Sequence, residues 1–369
     1  MLPNLITAAF LLAAPALQSD RIVLTNGKVM SVDRVTSETY KEVVYKTGTT
    51  EGRKPAQDVI EVQHATGAAA LEDFDTALGL MNDGDWGGAI GAFNEVLADE
   101  RLMGNPRYAW VVQHSLFRQA QCNNALGDAK GVSAAVDALL TKVPDSFFFA
   151  PALKLKAQAA TDAQDAATAR KVYEELAAAV QSKGLPERWG RESELGLILL
   201  DSGLKGNDKI RRLQQIVEKN RELYPTVANG ANVAIGTTML EMESPDFDAA
   251  EKFFKDILES GQADDLTEAA AWSGLGDVAY KRALKFDDPK QADGRFLDAA
   301  LAHLRVILMH KEVVSLVPRS IFYASDALTR RQDETSKRQG YFLAQYANTK
   351  FPRSAWTERL LQALNLKPK

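Results

Sequence analysis

Residues 82–97 (NDGDWGGAIGAFNEVL) contain carboxylates at the spacing of a calcium-binding loop. Asp83 and Asp85 stand at the first and third positions of such a loop. Calcium takes six or more oxygen ligands, and the twelfth position normally supplies a bidentate Glu. Here the twelfth position is Asn94, and Gly87 at the fifth position has no side-chain oxygen. The ligands are therefore too few, and the stretch is better interpreted as the turn between two helices.

The histidines are the other residues that could bind a metal: His64, His114, His303 and His310. His303 and His310 are seven positions apart, which on a helix means two turns and about 10 Å. One ion cannot bridge that distance on a straight helix. We therefore expect these two side chains to pack or to face solvent, and the sequence predicts no metal site.

Motifs of the common enzyme classes are missing from the sequence. It has no Gly-x-Ser-x-Gly elbow, no P-loop, no dinucleotide-binding glycine pattern and no His-Glu-x-x-His. Carboxylate pairs such as Asp264–Asp265 and Asp287–Asp288 fall in expected loops, where solvation or helix capping explains them. Carboxylates that meet only in the fold would escape this search. The sequence thus predicts no catalytic residue and no cofactor, with a hydrolase of unrecognised site as a remote alternative.

The composition is that of a folded protein without general affinity for nucleic acid. Apolar residues make up 46% and charged residues 25% of the 369 positions, which is typical of a globular chain. The formal net charge is −5, whereas nucleic-acid binding needs a basic surface that displaces counterions. Cys122 is the only cysteine, so an intramolecular disulfide and a four-cysteine zinc site are excluded. We predict no nucleic-acid partner.

The N-terminus is typical of an exported protein. Residues 5–14 form an apolar run that is too short to span a bilayer. The Ala-Pro-Ala of residues 14–16 then offers a cleavage site, although the segment before the run has no Lys or Arg. We predict that residues 1–19 are a signal peptide and that the protein is periplasmic or secreted, without a transmembrane span. A buried N-terminal helix is the alternative.

Residues 20–65 have the composition of short β-strands. Val, Ile, Thr and Tyr are frequent and apolar positions alternate, while Asn26-Gly27 favours a hairpin because both residues tolerate positive φ. Four or five strands are expected, in a small all-β barrel or curled sheet. The pattern from Asp20 to Val62 resembles the small Sm-like modules that precede other domains in some exported bacterial proteins. That resemblance implies a capping or docking module.

From Thr66 onward, apolar residues recur three and four positions apart, which predicts amphipathic helices. The helices fall into similar units, each of two helices with a short turn between them. Two units share the same offsets between a small residue, the turn glycine and two apolar residues: Ala77, Gly84, Ala89 and Phe93 in one, Ala120, Gly127, Val132 and Val136 in the other. This repetition predicts a helical repeat domain over residues 66–369 and explains residues 82–97 as one of its turns.

These offsets resemble those of the tetratricopeptide repeat (TPR). Trp272-x-x-Leu275-Gly276 matches the opening of that repeat, and Ala300 stands where its second helix has a small residue. Equivalent positions are 43 residues apart from Ala89 to Val132 and 37 from Val132 to Ala169, against about 34 in the standard repeat. The resemblance implies a mainly α fold, a TPR-like right-handed α-solenoid of long, irregular antiparallel helix pairs.

A TPR-like solenoid implies a concave groove, lined by the first helix of each pair, that binds an extended or helical peptide. The groove positions of the family fall here on His114, Gln121, Asn124, Asp277 and Lys281. They do not form the carboxylate clamp of some members. The run Phe147-Phe148-Phe149 either packs between repeats or leaves an exposed patch for a partner.

The sequence supports three hypotheses about function. The first, which we take as the prediction, is an exported non-enzymatic scaffold that binds protein partners through the groove. The second is a cell-envelope protein that binds glycan or peptidoglycan, and exposed rings at Tyr40 and Tyr45 would favour this cell-wall association. The third is an enzyme, which converging carboxylates in a deep pocket would favour.

Overall fold

The described part of the protein, residues 19–261 and 263–368 of a computed structural model, begins with a small β module and continues as helices. Six strands lie in residues 20–63, and sixteen α-helices lie in residues 72–363 of this part. The prediction of a mainly helical chain with a small N-terminal β module is therefore confirmed. The predicted signal peptide, residues 1–19, lies outside the described residues except for Ser19.

The β module consists of two antiparallel three-stranded sheets, with the strand orders β2-β1-β6 and β3-β4-β5. The strands are β1 (Asp20–Leu24), β2 (Val29–Val32), β3 (Arg34–Glu38), β4 (Glu42–Thr47), β5 (Thr50–Pro55) and β6 (Val59–Gln63). Between β1 and β2, Gly27 has a φ of 79°, which a residue without Cβ adopts at little cost. Ile22 and Val62 are paired across β1 and β6 and are both buried. Alternation of side chains along the strands thus gives the module an apolar interior.

The helical part follows without a further strand in the described residues. Its helices are α1 (Glu72–Asn82), α2 (Trp86–Ala98), α3 (Glu100–Met103), α4 (Trp110–Ala125), α5 (Ala129–Lys142), α6 (Phe149–Asp162), α7 (Ala166–Lys183), α8 (Glu187–Leu200), α9 (Gly206–Asn220), α10 (Pro225–Glu241), α11 (Phe247–Glu259), α12 (Asp265–Ala283), α13 (Pro289–Met309), α14 (Val317–Arg330), α15 (Glu334–Lys350) and α16 (Ala355–Ala363). Within residues 19–261 and 263–368, no helix combines the length and apolarity needed to cross a membrane.

The turn at residues 82–97 shows how the helices are separated. Gly84 has a φ of 75°, which ends α1 at a position where a side chain would be strained. The Asp85 carboxylate then accepts a hydrogen bond from the Gly88 N–H at 3.0 Å and caps α2. This carboxylate, which the sequence offered as a calcium ligand, therefore satisfies a backbone donor of the helix.

Contacts between elements divide the described chain into two units. The first contains residues 19–124, 129–156 and 178–186, and the second contains residues 125–128, 157–177, 187–261 and 263–368. In the first unit, Ala77, Ala89 and Phe93 belong to one apolar cluster formed around α1 and α2. In the second unit, the Phe254 ring lies against Gly236 and Gly274, where an added Cβ would collide with it. Small residues on one helix thus admit large rings from the next.

The other residues predicted to pack the repeats lie at helix contacts or turns. Ala120 and Ala300 are fully buried, and Gly127 has a φ of 74°. Trp272 and Leu275 are partly buried on α12, where the Arg305 guanidinium lies 4.2 Å from the centre of the Trp272 ring. Gly276 lies so close to the His303 ring that a methyl group would collide with it.

Candidate functional site

Three strand ends and one helix of the first unit bring four ionisable side chains together. Asp20 is the first residue of β1, Glu38 is the last residue of β3, and His64 directly follows β6. His114 lies near the start of α4 and meets them there. All four are buried, and the side chains of Glu38 and His64 are only 1% and 3% exposed. We refer to these four residues as the histidine–carboxylate cluster.

A β-bulge turns Glu38 toward the interior. In β3, strict alternation from the buried Val35 would place Ser37 inside and Glu38 outside. The pairing of β3 with β4 shifts its register between Val35 and Ser37, so Glu38 is buried and Ser37 is exposed. An extra residue in one strand re-aims the side chains that follow it, and here it directs a carboxylate into the unit.

The Glu38 carboxylate contacts both histidines of the cluster. Its Oε1 forms a very short hydrogen bond with His64 Nε2, and its Oε2 lies 2.9 Å from His114 Nε2. On the other side of the His64 ring, Asp20 Oδ2 lies 3.3 Å from Nδ1. The backbone N–H groups of Val35 and Ala65 donate to Asp20 at 2.7 and 2.8 Å. Each ring nitrogen of His64 therefore meets a carboxylate.

Aromatic rings fix the orientation of the two imidazoles. Trp110 is stacked on His64, with ring centres 3.9 Å apart and planes inclined by 7°. His114 meets His64 edge-on at 5.1 Å, and Phe148 meets His114 edge-on at 4.9 Å. Rings therefore lie against both histidines, and these contacts limit the rotation of the two imidazoles.

The pKa values of the cluster follow from burial and from these contacts. Burial disfavours the Glu38 carboxylate, but the charges of His114 and His64 and their hydrogen bonds outweigh it and lower the pKa of Glu38 to about 2. Burial also disfavours a charged His64, yet the Glu38 charge and the bonds to Asp20 and Glu38 raise the pKa of His64 to about 9. For His114 burial dominates and lowers the pKa. At neutral pH the cluster therefore contains an ionised Glu38, a protonated His64 and a neutral His114.

A cleft of about 380 Å³ lies beside this cluster, and both Glu38 and Trp110 line it. Residues 34–39 line it together with residues such as Arg107, Gln113 and Asp145. Gln113 is fixed in place because its Oε1 accepts from Ser146 Oγ at 2.8 Å. The cleft is thus lined largely by polar and charged residues, and Glu38 of the cluster is one of them.

In the second unit, three helices present an arginine among aromatic rings. Arg319 of α14 donates to Ser273 Oγ and Asp277 Oδ2 of α12, both at 2.6 Å. Its guanidinium lies 4.7 Å from the centre of the Tyr323 ring and 5.6 Å from that of Trp356. We define the arginine–aromatic face as the partly exposed side chains Arg319, Tyr323, Trp356 and Arg359.

The spacing within each helix explains how this face forms. Arg319 and Tyr323 are four residues apart on α14, and Trp356 and Arg359 are three apart on α16, so each pair projects from one side of its helix. The Arg359 guanidinium lies 5.0 Å from the centre of the Trp356 ring. The guanidinium groups of Arg319 and Arg359 therefore both lie near the Trp356 indole. The attraction between a cation and an aromatic ring makes this arrangement favourable.

Behind this face, His303 is completely buried without a hydrogen-bond partner among the described residues at either ring nitrogen. Its Nε2 lies 3.6 Å from Asp277 Oδ1, and its ring is stacked on Tyr323 at 5.2 Å. Burial lowers the pKa of His303 to about 4, and the Asp277 charge offsets this only in part. His303 is therefore a neutral packing residue at neutral pH.

The five predicted groove residues have different surroundings. Asp277 is buried beneath Arg319, and Lys281 of the same helix donates to the Leu240 carbonyl at 2.8 Å. His114 is buried in the histidine–carboxylate cluster. Gln121 and Asn124, also on α4, are half-buried, and Gln121 accepts a hydrogen bond from Arg118 at 3.0 Å. The structure thus groups Asp277 and Lys281 on α12, and His114, Gln121 and Asn124 on α4.

The three consecutive phenylalanines are all buried. Phe147 and Phe148 precede α6 and only Phe149 belongs to it, so the three residues do not share one helix and all three rings can point inward. Phe148 is stacked on Phe117 at 4.3 Å. Of the two alternatives for this run, the structure shows the packed one.

The sequence did not predict that Asp20, Glu38, His64 and His114 lie together. The sequence offered His64 and His114 only as separate histidines. Glu38 lies on a strand whose β-bulge cannot be predicted from the residue pattern. One signal was available: Trp110 and His114 are four residues apart, a spacing that places the indole and the imidazole on one face of a helix. The arginine–aromatic face was missed for the same reason, since its members are distant in sequence.

No model of a known protein family matches the chain. A comparison with curated proteins gives no match either. Function is therefore inferred from the side chains described above.

Proposed function

We propose that the protein is an exported, non-enzymatic scaffold that binds protein partners through the groove of a TPR-like right-handed solenoid of antiparallel helix pairs. Positive-φ glycines at Gly84 and Gly127, small buried residues at helix contacts, and the Trp272-x-x-Leu275-Gly276 motif support this. The two three-stranded sheets are proposed to form an Sm-like docking module. Export is proposed on the signal-peptide pattern of residues 1–19.

The arginine–aromatic face is the observation that supports partner binding. Arg, Tyr and Trp are the residue types that most often dominate the free energy of protein binding. Arg319 is held by Ser273 and Asp277 and lies between two rings, so it has little side-chain entropy left to lose on association. A preorganised, partly exposed face of this composition suits a protein ligand.

The charges of the face indicate the chemistry of that ligand. Asp277 offsets the charge of Arg319, whereas Arg359 has Trp356 as its neighbour. A peptide segment that places a carboxylate at Arg359 and an apolar side chain on the rings of Trp356 and Tyr323 would complement it. We therefore propose an acidic–apolar peptide segment of a partner protein as the ligand.

Peptide selection tests this proposal. Peptides of about 16 residues would be selected by phage display on the purified full chain, and Kd values measured by fluorescence anisotropy. We expect Trp356→Ala to weaken binding about 30-fold or more, as truncation of a central aromatic residue does. Tyr341→Ala is the matched control because Tyr341 is an exposed aromatic residue of α15, and its Kd should equal that of the wild type.

Two results would contradict the scaffold proposal at this face. One is that no peptide is enriched on the wild-type chain. The other is that enriched peptides bind Trp356→Ala and Arg359→Ala as tightly as the wild type, while circular dichroism shows both variants folded.

The polar cleft of the first unit favours a second candidate, a protein that binds cell-wall glycan. Trp110 and two arginines, Arg34 and Arg107, line the cleft, and such side chains suit a sugar ring and its acidic substituents. Tyr40 does not present a free ring, because Lys183 and Phe149 both lie against it. Co-sedimentation with purified peptidoglycan, lost on Arg107→Ala and kept on Arg101→Ala, would establish this candidate over the first.

A further inference from the structure

We propose that Glu38, His64 and His114 form a binding site for one divalent transition-metal ion of the kind that zinc represents. The site uses none of the residues of the arginine–aromatic face, so it stands or falls independently of the scaffold proposal. The proposal assigns one metal ion to three side chains that are far apart in the sequence.

The ligand atoms converge as a metal site requires. One nitrogen of each histidine and a carboxylate oxygen of Glu38 all lie within 4.8 Å of one another. Zinc takes nitrogen and oxygen ligands at about 2.0–2.2 Å, which separates the ligand atoms of a tetrahedral site by roughly 3.4 Å. Small side-chain shifts from the direct contacts between Glu38 and the imidazoles therefore make room for an ion.

The donor set selects the class of metal. Two imidazole nitrogens and one carboxylate suit zinc and its transition-metal neighbours. Calcium and magnesium take six or more oxygen ligands and are poorly matched. A metal ion that binds Nε2 of His64 displaces the proton of this imidazole. The two neutral imidazoles and the carboxylates of Glu38 and Asp20 then bear two negative charges, which one divalent ion offsets.

The outer contacts are those of a metal-binding histidine. Asp20 Oδ2 faces Nδ1 of His64, and its position is set by the N–H groups of Val35 and Ala65. A carboxylate behind the second ring nitrogen orients the imidazole and increases its basicity as a ligand. The Trp110 ring stacked on His64 removes the remaining freedom of rotation.

Three protein ligands leave a fourth coordination position. Glu38 also lines the cleft of about 380 Å³, so a water molecule or a donor group of a small ligand entering that cleft can complete the coordination. This arrangement predicts a site that exchanges its fourth ligand, in contrast with a closed site of four protein ligands.

The experiment uses the untagged full chain, stripped of metal with a chelator and titrated with Co²⁺ alone and then Zn²⁺ alone. We expect one equivalent of Co²⁺ to give the visible absorption bands of a four- or five-coordinate ion, and one equivalent of Zn²⁺ to displace it. His64→Gln and His114→Gln should each weaken binding at least 100-fold. Asp20→Asn should weaken it 10- to 100-fold with the stoichiometry unchanged.

His310→Gln is the matched control, because His310 is a buried histidine beside a carboxylate, Asp265, in the second unit. It should bind Co²⁺ as the wild type does. The proposal is overturned if the folded wild-type chain binds no equivalent of Co²⁺ or Zn²⁺, or if folded His64→Gln and His114→Gln bind both ions unchanged.

Should the histidine variants fail to fold, X-ray absorption at the zinc edge of the wild-type chain decides instead. Two imidazole ligands to one zinc ion are expected, and fewer than two would overturn the proposal.

Discussion

His64 in the first unit and His303 in the second are similarly buried but differently paired. Their side chains are 3% and 0% exposed, each lies beside a carboxylate, and each is stacked on an aromatic ring. His64 meets a carboxylate at both ring nitrogens. His303 has no hydrogen bond at either nitrogen among the described residues.

This difference reverses the direction of the pKa shift. Burial disfavours the charged form of both rings, yet the pKa of His64 is raised to about 9 and that of His303 is lowered to about 4. The comparison shows that burial sets the cost of a charge, whereas the carboxylates at hydrogen-bonding distance decide whether the charge persists. Asp20 and Glu38 are so placed because backbone N–H groups and a β-bulge hold them there.

The largest effect is expected from removing the charge that pairs with His64. In Glu38→Gln, without metal, the buried imidazolium loses its main partner, and we expect the free energy of unfolding to fall by about 3–5 kcal/mol. Urea unfolding in the presence of a chelator measures it. Glu42→Gln is the control, since the ion pair of Glu42 with Arg53 is exposed and its loss should barely move the midpoint. Equal midpoints for the two variants would show that the buried pair does not stabilise the fold.

A smaller effect is expected from pH acting on His303. Because its pKa is about 4 in the folded state and 6.5 in the unfolded state, the unfolded chain binds a proton first as pH falls. The stability that the folded state gains by holding His303 neutral is fully present above pH 6.5 and is lost between pH 6.5 and pH 4. The free energy of unfolding therefore rises with pH across that window. His303→Leu should remove about 2–3 kcal/mol of the difference in unfolding free energy between pH 8 and about pH 4.5.

The groups that face His303 are Asp277, Arg319 and Tyr323, and all three are retained in that variant. Leu301→Ala, on the exposed side of the same helix, is the control and should keep the wild-type pH dependence. If His303→Leu also keeps it, the buried imidazole is not the group that titrates.

The smallest effect tests whether His303 acts through packing alone. In Gly276→Ala the new methyl group would lie 2.5 Å from His303 Nε2, and the stacked Tyr323 ring leaves the imidazole little room to move. We expect the free energy of unfolding to fall by about 1–2 kcal/mol. When Gly276→Ala is introduced into a His303→Ala background, the fall that it causes should be smaller. Gly79→Ala on α1, with nothing within 4 Å, should instead stabilise its helix slightly. Strictly additive losses in the double variant would contradict direct contact.

The helical part was predictable because its signals are local. These signals are the spacing of apolar residues, turn glycines such as Gly84 and capping carboxylates such as Asp85. Each acts within a few residues of the chain and can therefore be recognised in the sequence. The strand count was less predictable, since four or five strands were expected and six are present in the described residues. Short strands depend on partners that are distant in sequence, and register shifts leave no mark in the residue pattern.

The sequence by itself determined the mainly helical fold, the small N-terminal β module and the turns, because propensity, periodicity and capping need only neighbouring residues. Only the tertiary structure decided that Glu38, 26 residues from His64 and 76 from His114, meets both. The same holds for Arg319, which meets Ser273 and Asp277 of α12 across 46 and 42 positions. The physical reason is that the charge state of a buried group depends on distances of a few ångströms between elements, and no local preference specifies those distances.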